Sequence, residues 1–227
     1  DSLLHFVKPV FDRRVFLKTC TNGSSELMTN LSMSLVNALY NLQLMKIAGE
    51  NGVAAYGAVM YVNFIFVATF LGYAIGCAPV ISYHYGAGNH AELKNLYKKS
   101  MSIILVWGVI LFGAAQLLAP VLSKIFVGYN TGLYAMTLHG FRVYAIAFLI
   151  IGINIFGSSF FTALNNGLIS AVISFLRTLV FQVIMVLTLP LWFGINGIWS
   201  AISIAEALTL IMTTTFFVRQ KDKYHYL

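Results

Sequence analysis

Six long apolar runs, separated by short segments rich in glycine and asparagine, constrain this chain more than any other feature. They cover residues 25–45, 54–83, 101–126, 138–164, 169–191 and 198–218. A helix needs about 20 apolar residues to cross the hydrocarbon core of a bilayer. Strands of a membrane β-barrel would instead be short and alternating. The pattern therefore predicts an all-α membrane protein with six transmembrane helices.

The composition excludes the main alternatives. Only 9% of the 227 residues are charged, whereas soluble domains average about 25%. Disordered chains are poor in aromatic residues, and this chain contains 15% of them. The two cysteines and five histidines show no metal-ligand spacing, and the sequence contains no catalytic motif. We therefore expect neither an enzyme nor a bound metal or cofactor.

The distribution of the 14 basic residues predicts the orientation in the membrane, because Lys and Arg concentrate in cytoplasmic loops. Eleven fall on one side: Lys8, Arg13, Arg14, Lys18, Lys94, Lys98, Lys99, Arg177, Arg219, Lys221 and Lys223. Three fall on the other: Lys46, Lys124 and Arg142. Both ends are thus predicted to be cytoplasmic. Topology and anionic membrane lipid account for the net charge of +7 without a nucleic-acid partner.

The same pattern divides the chain into three parts. Residues 1–23 form a basic linker, residues 24–218 form the six-helix lobe, and residues 219–227 form a cytoplasmic tail. Within the linker, residues 3–18 mix bases with apolar side chains, which suits a helix lying on the inner leaflet, although Pro9 would interrupt it. A plain cytoplasmic linker fits the sequence equally well.

Two of the seven acids lie in predicted spans, where a carboxylate costs about 2.5–3.5 kcal/mol and marks a candidate ion or proton site. Glu206 lies near the middle of the sixth run and Glu26 near the start of the first. A structural role remains open for each. Glu26 could stabilise the first turn of a helix capped by the preceding polar residues. Glu206 could be satisfied by a neighbouring helix, through Arg177 or a hydroxyl group.

The first span also carries a polar stripe. Asn30, Ser34, Asn37 and Asn41 recur at spacings of four, three and four residues, which places them on one helical face. Such a stripe either bonds to a neighbouring helix or lines a wet cavity. Glu26, four residues before Asn30, favours the cavity.

Residues 72–89 read GYAIGCAPVISYHYGAGN. This string resembles the signature G…G…P-x-[IV]-[SG]-Y-N-Y-G-A-x-N of MATE (multidrug and toxic compound extrusion) transporters, with His84 in place of the signature's asparagine. Other segments agree in order and spacing. Residues 23–26 with Asn37 resemble the family's seventh helix, residues 176–178 its eleventh, and residues 189–206 the turn into its twelfth.

The resemblance implies one six-helix lobe, the C-terminal one, of a twelve-helix MATE-like transporter, with the missing N-terminal lobe as its partner. Such proteins export organic cations and other amphipathic compounds in exchange for Na⁺ or H⁺ by alternating access. It implies a multi-pass protein of the bacterial inner (plasma) membrane, with Na⁺ or H⁺ as coupling ion and no other cofactor. Expected ion or proton ligands are Glu26 and Glu206, with Arg177 as charge partner. Asn30, Ser34 and Asn37 are the expected cavity residues beside Glu26. Met33 and Phe66 would add the adaptable apolar surface that a promiscuous site needs, or would face lipid.

Two other functions remain open at this point. A lipid-linked oligosaccharide flippase of the same superfamily would carry more basic residues in its cavity, and only Arg142 and Arg177 approach membrane depth here. A stand-alone six-helix channel or membrane subunit would be encoded without a second, upstream set of six helices.

Overall fold

The computed structural model describes the backbone of residues 11–226, and the side chains of these residues except at positions 22, 25, 26, 28 and 29. All regular structure in this range is helical. The helical stretch Arg13–Gly86 is interrupted at Gly49, so we number its parts α1 (13–48) and α2 (50–86). The other helices are α3 (His90–Val127), α4 (Thr131–Ala163), α5 (Gly167–Phe193) and α6 (Ile195–Tyr224). The prediction of an all-α protein with six long helices is confirmed.

The boundary between α1 and α2 is a single residue. Gly49 has φ 61° and ψ −154°, a conformation that glycine adopts readily and other residues rarely do. The residues on either side remain helical, so α1 and α2 are joined without a loop. The polar segment between the first two runs thus separates two helices, as predicted, but it does so through one backbone conformation.

Asparagine side chains cap the N-termini of three of the other helices. Asn89 accepts a hydrogen bond from the backbone N–H of Glu92, Asn130 from that of Leu133, and Asn166 from that of Ile169, at 3.1–3.3 Å. Each therefore satisfies one of the N–H groups that a helix start leaves without a partner. The asparagines that separate the apolar runs act as helix caps.

The helices extend beyond the apolar runs at both ends of the described chain. α1 begins at Arg13, where Asp12 caps it by accepting from the N–H of Arg14 at 2.8 Å. α6 continues to Tyr224, past the end of the last run. Residues 13–18 of the proposed interfacial helix belong to α1, and residues 3–10 lie outside the described residues. The proline at position 79 does not end its helix, because α2 continues to Gly86.

Helix α4 lies at the centre of the lobe and is the most buried of the long helices. It approaches its neighbours closely because small residues stand at the contacts. A Cβ atom on Gly152 would collide with the ring of Phe70 on α2 and would lie 2.8 Å from Cγ2 of Ile104 on α3. A Cβ atom on Gly113 of α3, in contrast, would meet nothing within 4 Å.

We expect Gly152→Ala to lower the free energy of unfolding by about 1–3 kcal/mol, because the added methyl group overpacks a rigid contact. The measurement is thermal unfolding of the full-length protein in detergent, with Gly113→Ala as the matched control. Equal unfolding midpoints for the two variants would contradict the close packing of α2, α3 and α4.

Candidate functional site

An ion pair between Glu206 of α6 and Arg177 of α5 lies in the interior of the lobe. The Nε–H of Arg177 donates to both carboxylate oxygens of Glu206, at 2.9 Å to Oε1 and 3.2 Å to Oε2. The Glu206 side chain is fully buried, and that of Arg177 is 13% exposed. The structure therefore brings together the acid and base that the sequence analysis considered as partners.

Asn154 of α4 completes the surroundings of this carboxylate. Its Nδ2 donates to Oε2 of Glu206 at 2.7 Å and to the backbone carbonyl of Glu206 at 2.9 Å. Both carboxylate oxygens thus accept N–H groups, as a buried charge requires. Asn154 was not expected at the site from the sequence. The available signal was an amide in the middle of the apolar segment FLIIGINIFG.

Arg177 lies in an irregular segment of its helix. Residues Leu176–Phe181 form a π-helix between two α-helical parts of α5. A π-helix is rare, often occurs at functional sites, and bonds residue i to i+5. It brings residues five apart towards one face, so Arg177 and Gln182 both line the same cavity. The apolar pattern gave no sign of this segment.

A cavity of about 340 Å³ lies beside the ion pair, between α1, α2, α4, α5 and α6. Much of its wall is apolar or aromatic, with Tyr40, Tyr56 and Tyr144 among the aromatic side chains. Four amide side chains also line it. Asn30, Asn37, Asn63 and Gln182 contribute these amides, and Arg177 and Glu206 contribute the charges.

Two tyrosines join α1 to α2 at this cavity. The rings of Tyr40 and Tyr56 stack with centroids 5.0 Å apart, and the hydroxyl of Tyr56 donates to Oδ1 of Asn37 at 2.8 Å. Tyr40 Oη and Asn63 Oδ1 are buried and have no hydrogen-bond partner among the described residues. These two atoms could therefore bond to a molecule bound in the cavity.

The residues expected in a substrate cavity divide into two groups. Asn30, Met33 and Asn37 line it, together with Arg177 and Glu206. Ser34 and Phe66 are not among its lining residues in the described part of the chain. Ser34 lies exposed on the helix surface. Phe66 packs against Phe148 with ring centroids 5.1 Å apart, because it lies about 100° around α2 from the cavity-lining Val67.

Glu26 also differs from one of its expected roles. Its side chain lies outside the described residues, but the backbone of α1 is helical from Arg13 onwards. The interpretation of Glu26 as a first-turn residue is therefore wrong, because the helix begins well before it. The position lies one turn before Asn30 within α1, and its role in ion binding stays a prediction.

Long apolar helices packed around a buried ion pair and a partly polar cavity indicate a multi-pass membrane protein. Comparison with known families agrees. The family model MatE matches residues 27–188, and the chain belongs to this family. No curated protein sequence matches the chain.

Solved structures share its fold at low sequence identity. One, described as a crystal structure of MATE in complex with MaL6, superimposes with a TM-score of 0.87 at 20% identity, over 96% of this chain and 49% of that one. An outward-facing multidrug resistance MATE family transporter of the MOP superfamily matches with a TM-score of 0.86 at 21% identity, over 96% of this chain and 49% of that one. A MOP superfamily transporter from Pyrococcus furiosus matches with a TM-score of 0.83 at 21% identity, over 93% of this chain and 48% of that one. The chain spans about half the length of these proteins.

We expect Arg177→Gln to lower the free energy of unfolding by about 3–5 kcal/mol, because it leaves the carboxylate of Glu206 buried without its counter-charge. The double variant Arg177→Gln/Glu206→Gln should recover much of this loss, since it leaves no uncompensated charge. Thermal unfolding of the full-length protein measures both, with Arg142→Gln, an exposed guanidinium, as control. Equal losses in the single and double variants would contradict this prediction, because removal of the unpaired carboxylate would then have relieved nothing.

Proposed function

We propose that this chain is the C-terminal lobe of an antiporter that exports amphipathic compounds, including organic cations, in exchange for Na⁺ or H⁺. The observation that carries the proposal is the ion pair of Glu206 and Arg177 at the wall of the cavity. An acid buried at membrane depth is costly, and transporters use such acids for ion coupling. Membership of the MatE family supports transport as the activity.

The coupling ion acts on Glu206. A proton on the carboxylate removes its negative charge, and Na⁺ bound there offsets that charge. In either case the ion competes with Arg177 for the carboxylate oxygens. The cavity then contains a guanidinium that is no longer balanced, and this positive charge repels a cationic substrate. Ion and cationic substrate therefore exclude each other, which is the relation that an exchanger needs.

Exchange also requires two states with different affinities, because a ligand shifts a conformational equilibrium only through differential binding. In repeat-built transporters the two halves rock around a central site. The chain covers about half of its structural relatives, which supports a second lobe as the partner. The cavity in this lobe would then form one wall of the site, and the partner lobe would form the other.

The cavity also favours this proposal over the flippase alternative. Among its described lining residues Arg177 is the single basic one, and Arg142 is exposed outside it. A site for a lipid-linked sugar phosphate would be expected to present several bases. The MatE match and the half-length coverage likewise favour a transporter lobe over a stand-alone channel subunit.

We expect Glu206→Gln in the full-length protein to reduce ion-driven efflux of a cationic dye by at least about tenfold, because the amide cannot take up and release the coupling ion. The measurement uses proteoliposomes loaded with the dye, under a Na⁺ gradient and a proton gradient applied separately. The gradient that drives efflux in the wild type identifies the ion.

The matched control is Glu92→Gln, which removes an exposed carboxylate near the start of α3. It should leave efflux at the wild-type rate. Unchanged efflux in Glu206→Gln under both gradients would overturn the coupling role of this acid.

A further inference from the structure

Only part of the Arg177 guanidinium forms hydrogen bonds with the described residues. Its Nε–H donates to both carboxylate oxygens of Glu206. The two terminal nitrogens donate to no described residue, and neither is among the buried side-chain atoms that have no partner. Because Arg177 lines the cavity, its terminal edge offers two N–H groups to whatever the cavity contains.

The two charged groups at the cavity differ in how accessible they are from it. Arg177 and Glu206 are the charged members of its described lining. Both carboxylate oxygens of Glu206 already accept hydrogen bonds, from Arg177 and Asn154, and the side chain is fully buried. The cavity therefore meets the positive partner of the pair more directly than the negative one.

We propose that this cavity binds the acidic group of an amphipathic ligand, with a carboxylate held end-on by the terminal nitrogens of Arg177. The guanidinium has a planar fork that matches a carboxylate with two parallel hydrogen bonds. Met33, Met60 and the stacked rings of Tyr40 and Tyr56 offer the adaptable apolar surface for the ligand body. The inference rests on the proposed function only in taking this cavity as a substrate site. It names a second, acidic ligand class beside the cationic one, and the binding of this class depends on Glu206 in the reverse sense.

Because the ligand and Glu206 share one guanidinium, the affinity for an acidic ligand depends on the charge of Glu206. The ligand carboxylate and Glu206 would bind different edges of one cation, and the two anions repel each other in the low-dielectric interior. Neutralising Glu206 removes this repulsion and leaves the whole charge of Arg177 for the ligand. Acidic ligands should thus bind best when Glu206 is neutral, which is the opposite of the expectation for cationic ligands.

The test is equilibrium binding to the purified full-length protein in detergent, with two probes that share one apolar body. The probe 2-naphthoate carries the carboxylate, and 2-naphthamide replaces it with a neutral amide. Four proteins are compared: wild type, Glu206→Gln, Arg177→Gln/Glu206→Gln, and Arg142→Gln as the control with a guanidinium removed elsewhere. The double variant avoids leaving a buried carboxylate without its counter-charge.

We expect Glu206→Gln to bind naphthoate at least about tenfold more tightly than the wild type, and the double variant to lose that gain and to bind naphthoate no better than naphthamide. Arg142→Gln should match the wild type, and naphthamide should bind all four proteins within about threefold. A ratio of naphthoate to naphthamide affinity that is the same in all four proteins would overturn the proposal.

Binding and transport can fail separately. Naphthoate binding that follows Arg177 and Glu206, in a protein without ion-driven efflux, would reject the proposed function and leave this inference standing. Ion-driven efflux of the cationic dye, with no discrimination between the two naphthalene probes, would reject this inference and leave the proposed function standing.

Discussion

The lobe is organised around one buried carboxylate. Glu206 is fully buried in α6, and a charge in that position requires a counter-charge and hydrogen-bond donors. Arg177 supplies the first from α5 and Asn154 supplies a further donor from α4. Three helices are therefore held in one register by one side chain. The π-helical turn of α5 lies where the guanidinium leaves the helix, so the irregular backbone and the ion pair occur at the same place.

Much of the fold could be predicted because the bilayer imposes simple rules on length and polarity. Six apolar runs of spanning length indicate six helices, and the polar segments between them contain the caps that begin three of these helices. The ends of α1 and α6 could not be predicted from hydropathy, because the helices continue beyond the membrane-compatible segments. This continuation is also why Glu26 is not in a first turn.

Residues at the cavity could be predicted where charge or spacing made them conspicuous, and not elsewhere. Glu206 and Arg177 stand out in apolar runs, and Asn30 and Asn37 stand out by their spacing. Asn154 was missed because a single amide in an apolar run carries no pattern, and Phe66 was assigned to the cavity although its direction from α2 depends on helix rotation. The solved relatives at about 20% identity share the fold at this level, where few individual side chains are expected to coincide.

The junction at Gly49 has a mechanical consequence for the cavity. A loop between two helices would let each shift independently, whereas a single non-helical residue confines their relative movement to two dihedral angles. The stacked pair of Tyr40 and Tyr56 lies nine residues before and seven residues after this pivot. A change in the angle between α1 and α2 at Gly49 would therefore separate these rings or slide them past each other. The width of the cavity on this side thus depends on the two backbone dihedral angles of one residue.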